Sequence, residues 1–297
     1  MADGIRPADI PQGAFDLYDR YCHGDMSRRA FFEGLRKYAV GGLSVSTLAA
    51  CMMPDYSAQQ TAEDEDGLVS EMLVYASPEG AGEMQGLFVR PAGADKLPGV
   101  VVVHENRGLN PHIRDVARRV AKAGYVAFAP DALYPLGGYP GTDDEGRTLQ
   151  SQRTGPSMLA DFSAAAEFLK DHAATTGKIG TTGFCFGGWV TNQMAVNLPW
   201  LGCSVPFYGG WPPVEDAAKL QVPLQIHLAG LDERVNAGWP AYQAALDAAG
   251  KDYEVYVYEG ANHGFHNDTT PRFDPAAAGL AWSRTLSFFG THLAEHG

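Results

Sequence analysis

One short stretch of this sequence carries a reactive side chain in a setting that favours nucleophilic chemistry. Cys185 is the central residue of GFCFG at positions 183–187, which has the G-x-S-x-G spacing with a thiol in place of the serine hydroxyl. Glycines at this spacing are typical of a tight turn from a strand into a helix, and a helix N-terminus favours a thiolate. The pattern predicts a cysteine nucleophile, with a buried structural cysteine as the alternative.

Two further residues follow the nucleophile in an order that suggests a catalytic triad. Asp232 comes just after the run PLQIHLAGL, and His263 comes just after YEVYVYEGAN. Nucleophile, acid, histidine is the chain order of α/β-hydrolases, in which the histidine is the base and the acid fixes its tautomer. A loop cap is the alternative for Asp232, and a satisfied surface histidine is the alternative for His263. His266 is the nearest rival of His263, but no third ligand accompanies this pair, so we predict no metal site.

A fourth candidate, Glu105, ends the apolar run GVVVVHE, where a buried carboxylate needs a partner. A structural ion pair with Arg107 or another arginine is the alternative to a functional role. The N–H groups after this strand and after the nucleophile are predicted to form an oxyanion hole, from the amides of Asn106 and Phe186. The candidate substrate-binding side chains are Arg107, Arg147, Tyr208 and Trp211.

The elements that must position these residues alternate along the second part of the chain. The β-rich stretches LVSEMLVYAS and EMQGLFVRP, joined by PEGAG, predict an antiparallel hairpin. The buried run PGVVVVHE and later strands then alternate with helical stretches such as HIRDVARRVAKAG. This pattern predicts an α/β domain over residues 67–297, with a mostly parallel sheet flanked by helices and a site at the carboxyl ends of its strands.

Residues 1–66 have a different pattern, which predicts a helical N-terminal extension. The segment that begins with Arg28 and Arg29 resembles a twin-arginine export signal, but its apolar run is interrupted by Gly41 and Gly42. We therefore expect a folded and retained extension and a cytoplasmic protein. Use of this segment for export, which would give a periplasmic protein, is the alternative.

The composition argues against several classes of partner. The 297 residues carry 22 Lys and Arg against 35 Asp and Glu, a net charge of −13, so phosphate backbones would be repelled. No nucleic-acid partner is therefore expected, and no run is apolar and long enough to predict a membrane span. The four cysteines form no C-x-x-C pair and need no disulfide framework, which fits a reducing compartment.

At these residues the sequence resembles the dienelactone hydrolase family, also called carboxymethylenebutenolidases. The resemblance covers Leu68 to the C-terminus and rests on VVVHENRGLN, GFCFGG, GLDERV and GANHGF, in the family's order. It implies an α/β-hydrolase fold that needs no cofactor and cleaves small esters or lactones through a thioester intermediate. It also implies Cys185 as nucleophile, His263 as base and Asp232 as the residue that orients it. In the family, the glutamate that matches Glu105 contacts the resting thiol until substrate displaces it, which keeps the thiol neutral.

Two departures from the family pattern bear on substrate and assembly. The family binds the substrate carboxylate with arginines, one of them shortly after the catalytic histidine, whereas HGFHNDTTPRF offers Arg272 only further on. Arg107 or Arg147 would then supply the positive charge. The extension lies outside the short family members, and we expect it to pack at a subunit interface, giving a homodimer. A non-catalytic binding protein with this fold and a redox-sensing thiol protein are the alternatives to a hydrolase.

Overall fold

The computed structural model describes residues 9–39 and 44–294, so the glycine pair at 41–42 and the first eight residues lie outside the described part of the chain. The described extension begins with three helices: α1 (Gln12–Cys22), α2 (Arg28–Leu35) and α3 (Val45–Met52). Their apolar faces meet in a small core of their own, with Phe31, Leu35 and Leu48 fully buried. The helical character predicted for this segment is therefore present in its described residues.

The rest of the chain is built on one eight-stranded sheet with the order β1-β2-β4-β3-β5-β6-β7-β8. The strands are β1 (Leu68–Ser77), β2 (Gly82–Pro91), β3 (Leu97–Val103), β4 (Val126–Pro130), β5 (Thr175–Phe184), β6 (Cys203–Phe207), β7 (Leu224–Ala229) and β8 (Tyr253–Tyr258). The β1–β2 hairpin and the β2–β4 pair are antiparallel, and the other five pairings are parallel. This topology confirms the predicted mostly parallel sheet with a hairpin at its start.

Helices cover both faces of the sheet. They are α4 (Pro111–Lys122), α5 (Asp143–Gln150), α6 (Gly155–Asp171), α7 (Phe186–Asn197), α8 (Glu233–Asn236), α9 (Trp239–Ala248) and α10 (Pro275–Leu293). Val101 and Val103 of β3 belong to the core on one face, whereas Val100 and Val102 belong to the core on the other. The unbroken valine run of the sequence therefore reflects a strand buried on both faces.

The extension packs against the loops at the carboxyl ends of the strands. Tyr21 Oη donates to Asp144 at 2.7 Å, and Asn106 Nδ2 donates to the carbonyl of Cys22 at 2.7 Å. These contacts lie within one chain, and the predicted homodimer stays a prediction. Among the described residues, no helix has the length and apolar character that crossing a membrane requires.

Candidate active site

The turn between β5 and α7 holds Cys185 in a backbone conformation that few residues adopt. Its φ is 57° and its ψ is −111°, and it is one of two described non-glycine residues with positive φ. A Cβ on Gly183 would lie 2.3 Å from the carbonyl oxygen of Gly187, and one on Gly187 would lie 2.3 Å from that of Val103. Both glycines are therefore needed for the tight turn, and this geometry is that of a nucleophile elbow.

Asp232 and His263 form a buried pair at neighbouring strand ends. Asp232 follows β7 and caps α8 by accepting a hydrogen bond from the Val235 N–H at 3.1 Å. Its other carboxylate oxygen lies 2.6 Å from Nδ1 of His263, which follows β8. Burial lowers the pKa of His263, but the carboxylates of Asp232 and Asp19 and the nearby Cys185 outweigh it and raise the pKa to about 9. Asp232 thus fixes the His263 tautomer and caps a helix at the same time.

A second histidine, which the sequence analysis did not predict, contacts the thiol. His23 follows α1, and its Nε2 lies 3.2 Å from Cys185 Sγ. The His23 and His263 rings meet edge to face with centroids 4.8 Å apart. Burial alone would raise the pKa of Cys185, but these two imidazoles lower it to about 5. The sequence holds little signal for this role, because a histidine near an acid on an amphipathic helix is common on surfaces.

Glu105 has a different partner from the one that the family resemblance implied. Its carboxylate accepts a hydrogen bond from Asn267 Nδ2 at 3.2 Å, and none of the described hydrogen bonds joins it to Cys185. Arg107, the alternative ion-pair partner, donates instead to Asp143 at 2.6 Å. Glu105 is therefore buried beside an amide, while the described contact with Sγ is made by His23.

The two predicted oxyanion-hole residues lie on opposite sides of the turn. Asn106 follows β3, and its side chain is held by the carbonyl of Cys22. Phe186 is the first residue of α7, so its N–H has no partner within the helix. Among the described residues, neither backbone N–H donates a hydrogen bond, which leaves both free for a substrate oxygen.

The four predicted substrate-binding side chains are in different environments. Arg147 lines a cavity of about 660 Å³ together with His23, Asn106 and Phe186. Tyr208 lies beside the site, with its ring centroid 4.9 Å from that of His263. Arg147 lines this cavity while its guanidinium pairs with Asp144 and lies 4.3 Å from the centre of the Tyr21 ring, and Tyr208 forms part of the site's wall.

Trp211 and Arg107 are engaged elsewhere. Trp211 Nε1 donates to the Val235 carbonyl at 2.9 Å, and its ring packs on Trp239 at 5.1 Å. Arg107 is buried and paired with Asp143. Neither side chain lines either of the two cavities described at the site.

A second cavity, of about 590 Å³, adjoins the other side of the site and contains Asp19, Asp232, Arg234, His263 and Arg272. Arg272 Nη1 lies 3.3 Å from Asp19 Oδ1, so the late arginine of HGFHNDTTPRF is paired with an acid of the extension. A larger cavity, of about 1060 Å³, lies between the hairpin and α6, and none of the candidate residues lines it. Size alone therefore does not identify the substrate cavity here.

Donor atoms that could hold a metal ion converge in one place among the described residues, at His23, Cys185 and His263, within 4.8 Å of one another. His266 takes no part in that group. It is buried, it stacks on Phe184 at 5.0 Å, and burial lowers its pKa to about 3. His266 is therefore a neutral core residue, and the expectation that the protein needs no metal stays a prediction.

Comparisons with known proteins show which family the chain resembles. The model of the Dienelactone hydrolase family matches residues 84–293, and a YqhI-like model matches residues 5–37. A "Putative carboxymethylenebutenolidase" of Methylorubrum extorquens is 31% identical over 282 residues, which cover 89% of this chain and 96% of that protein. A "Probable 2-oxo-3-(5-oxofuran-2-ylidene)propanoate lactonase" of Bradyrhizobium sp. is 31% identical over 224 residues, covering 69% and 88%. The crystal structure of a "Putative Dienelactone Hydrolase" from Klebsiella pneumoniae superposes with a TM-score of 0.65 at 28% identity, covering 74% and 99%.

Proposed function

Since the chain belongs to the dienelactone hydrolase family and is a carboxymethylenebutenolidase-like hydrolase, we propose that it cleaves small carboxylic esters or lactones through a Cys185-His263-Asp232 triad. The observation that carries this proposal is the convergence on one buried thiol. Cys185 stands on a strained elbow, and the His263 imidazole beside it is held by Asp232 at 2.6 Å. This is the arrangement that covalent catalysis by a thiol needs.

The first half of the reaction would form a thioester. The Cys185 thiolate attacks the carbonyl carbon, and the carbonyl π electrons move onto oxygen, where the Asn106 and Phe186 amides stabilise the charge. Collapse of this intermediate restores the carbonyl and breaks the bond to the alcohol oxygen. The His263 imidazolium gives its proton to the departing alkoxide, which leaves a neutral imidazole and an acyl group on Sγ.

The second half would release the acid. Neutral His263 takes a proton from water as the water oxygen attacks the thioester carbonyl, and the same two amides stabilise the new oxyanion. The carbon–sulfur bond then breaks, and Cys185 leaves as the thiolate. Because a thiolate leaves more readily than an amine, this chemistry favours esters and lactones over peptides.

The cavity of about 660 Å³ beside the oxyanion amides suits a small substrate. Arg28 and Arg147 bring positive charge to its wall, while Asp144 and Glu145 bring negative charge. We propose that Arg147 contacts a carboxylate of the substrate, because a guanidinium forms paired hydrogen bonds with that group. The Bradyrhizobium relative is named as a lactonase of a propanoate, which agrees with this substrate class.

The test is hydrolysis of p-nitrophenyl acetate by Cys185→Ala, which we expect to be abolished. Cys203→Ala is the matched control, because Cys203 is also buried but lies in β6 within the sheet core. Cys185→Ser should keep the circular dichroism spectrum of the wild type and change the rate. Wild-type turnover by Cys185→Ala would contradict the proposal, and fast peroxide oxidation of Cys185 without ester hydrolysis would favour the redox-sensing alternative.

A further inference from the structure

We propose that His23, supplied by the N-terminal extension, is a catalytic residue that holds Cys185 as a thiolate in the resting enzyme. The extension would then complete the active site. The inference rests on the proposed function of Cys185 as the nucleophile, and it adds a residue from a segment outside the hydrolase family match.

Three contacts fix α1 above the elbow. Asp19 pairs with Arg272 at 3.3 Å, Tyr21 donates to Asp144 at 2.7 Å, and the carbonyl of Cys22 accepts from Asn106 at 2.7 Å. These partners come from the loop after β3, from α5 and from the loop before α10. The contacting residues directly precede His23 in the chain, and they hold its ring in place over Cys185.

The hydrogen bonds of His23 define its tautomer. Nδ1 lies 2.8 Å from the backbone carbonyl of Asp19, and a carbonyl oxygen only accepts, so Nδ1 carries a proton. Nε2 therefore faces Sγ at 3.2 Å with either one lone pair or one proton. With the proton, the imidazolium and the thiolate form a charge-assisted hydrogen bond in a site that excludes most water.

Arg234 competes for the same nitrogen. Its Nη2 lies 3.0 Å from His23 Nε2, a contact that only an unprotonated nitrogen can accept. The Arg234 side chain is 40% exposed and also approaches Asp19 at 3.5 Å, so it has a second partner to which it can turn. Sγ is buried, where an unpaired negative charge is costly, so we assign the Nε2 proton to the bond with Cys185.

The charges around the two rings favour this assignment. Each imidazole is backed by one carboxylate, Asp19 for His23 and Asp232 for His263. Burial lowers the pKa of His23, but Cys185 and Asp19 outweigh it and raise the pKa to about 10. The charged or titratable groups that face the site from the packed elements are Asp19, Glu105, Arg107, Cys185, Asp232, Arg234, His263 and Arg272.

The position of His23 also brings it to the substrate. Its ring lines the cavity that contains the Asn106 and Phe186 amides, whereas His263 lines the cavity on the other side. A carbonyl group bonded to Sγ and directed to those amides would meet the His23 imidazole. His23 therefore touches a reacting atom at rest and the substrate during acylation.

The experiment measures the ionisation of Cys185 in the full-length chain without using turnover. The ultraviolet absorbance of each protein is measured against pH. The absorbance of the same protein carrying Cys185→Ala is then subtracted, which leaves the absorbance of the Cys185 thiolate. This subtraction removes the other cysteines and the tyrosines. The variants are His23→Ala and His23→Gln. Glutamine is included because it can donate a hydrogen bond without carrying a charge. Tyr21→Phe is the matched control, because it removes one hydroxyl from the same helix while the contacts of Asp19 and Cys22 still hold the imidazole in place.

Both His23 variants should raise the midpoint of thiolate formation by roughly 1–3 pH units, the usual effect of an adjacent opposite charge. Tyr21→Phe should leave the midpoint unchanged. An unchanged midpoint in a His23 variant that keeps the wild-type thermal unfolding temperature would overturn the proposal, and so would an equal shift in Tyr21→Phe. Hydrolysis by Cys185→Ala tests the proposed function separately, so the two failures are distinguishable.

Discussion

The rate of ester hydrolysis should be nearly constant from about pH 5 to about pH 9 and should fall on both sides of this range. Acylation needs the Cys185 thiolate and the His263 imidazolium together. The pKa of Cys185 is lowered from 9.0 to about 5, against the effect of burial, by His23 and His263. The pKa of His263 is raised from 6.5 to about 9, against the effect of burial, chiefly by Asp232. The thiolate is lost as the pH falls through the lower value, and the imidazolium is lost as it rises through the upper one.

The size of the change in thiolate fraction follows from the ordinary pKa of a thiol and the lowered pKa of Cys185. At neutral pH, a thiol with its ordinary pKa of 9.0 would be about 1% ionised, whereas one with a pKa of about 5 is about 99% ionised. The structure therefore predicts a thiolate fraction at neutral pH about 100-fold above that of a thiol with the ordinary pKa. On the acid limb, kcat/KM should fall about tenfold per pH unit.

The assay is kcat/KM for an alkyl acetate, whose alkoxide needs the His263 proton to leave, from about pH 4 to about pH 10, with the background taken from Cys185→Ala. The two limbs report the coupled group of Cys185 and its histidines, because their protons are shared. A single rise of kcat/KM centred near the ordinary pKa of a thiol, with no plateau at neutral pH, would refute the reasoning. It would mean that the thiol is neutral at rest and is ionised only during attack.

Two further predictions address orientation and substrate binding. Asp232→Asn should lower kcat by roughly 10³–10⁴ without a change in unfolding temperature, because the amide oxygen can still cap α8 but no longer stabilises the imidazolium. Asp16→Asn, in the same cavity wall, is the matched control, and a loss below about tenfold would contradict the role given to Asp232. Arg147→Gln should raise KM roughly 10–100-fold for an ester that carries a carboxylate and leave KM for a neutral ester unchanged. Equal changes for both esters would show that Arg147 only shapes the cavity.

The sheet and the triad candidates could be predicted because their signals are local. The continuous valine run of β3 is diagnostic of a strand buried on both faces, and the glycines around Cys185 mark the turn at the end of β5. Parallel strands bring their carboxyl ends to one edge, so the chain order of Cys185, Asp232 and His263 was enough to expect them together.

The substrate-binding candidates were harder because their partners come from tertiary packing. Arg107 points to Asp143 at the start of α5, a helix that the sequence analysis did not predict. A signal was present, since Thr142 and Glu145 have the spacing of a capping box, and Thr142 Oγ1 accepts from the Glu145 N–H and donates to the Glu145 carboxylate. Trp211, by contrast, follows β6 at the carboxyl-end edge of the sheet, but its indole N–H donates to the Val235 carbonyl in α8. No local sequence pattern indicates that contact.

The resting state of the thiol depends on which side chain touches it. A carboxylate beside Sγ would disfavour the thiolate by like-charge repulsion, whereas an imidazolium favours it. Strand order alone placed Glu105 at this edge, because β3 neighbours β5. The partner in contact is His23, 162 residues before Cys185, on a segment whose docking depends on contacts with two loops and with α5. With His23 as the resting partner of Sγ, substrate binding has a different effect from the one expected if Glu105 were the resting partner. It need not generate a thiolate that is already formed, and it must instead displace an imidazole from the sulfur.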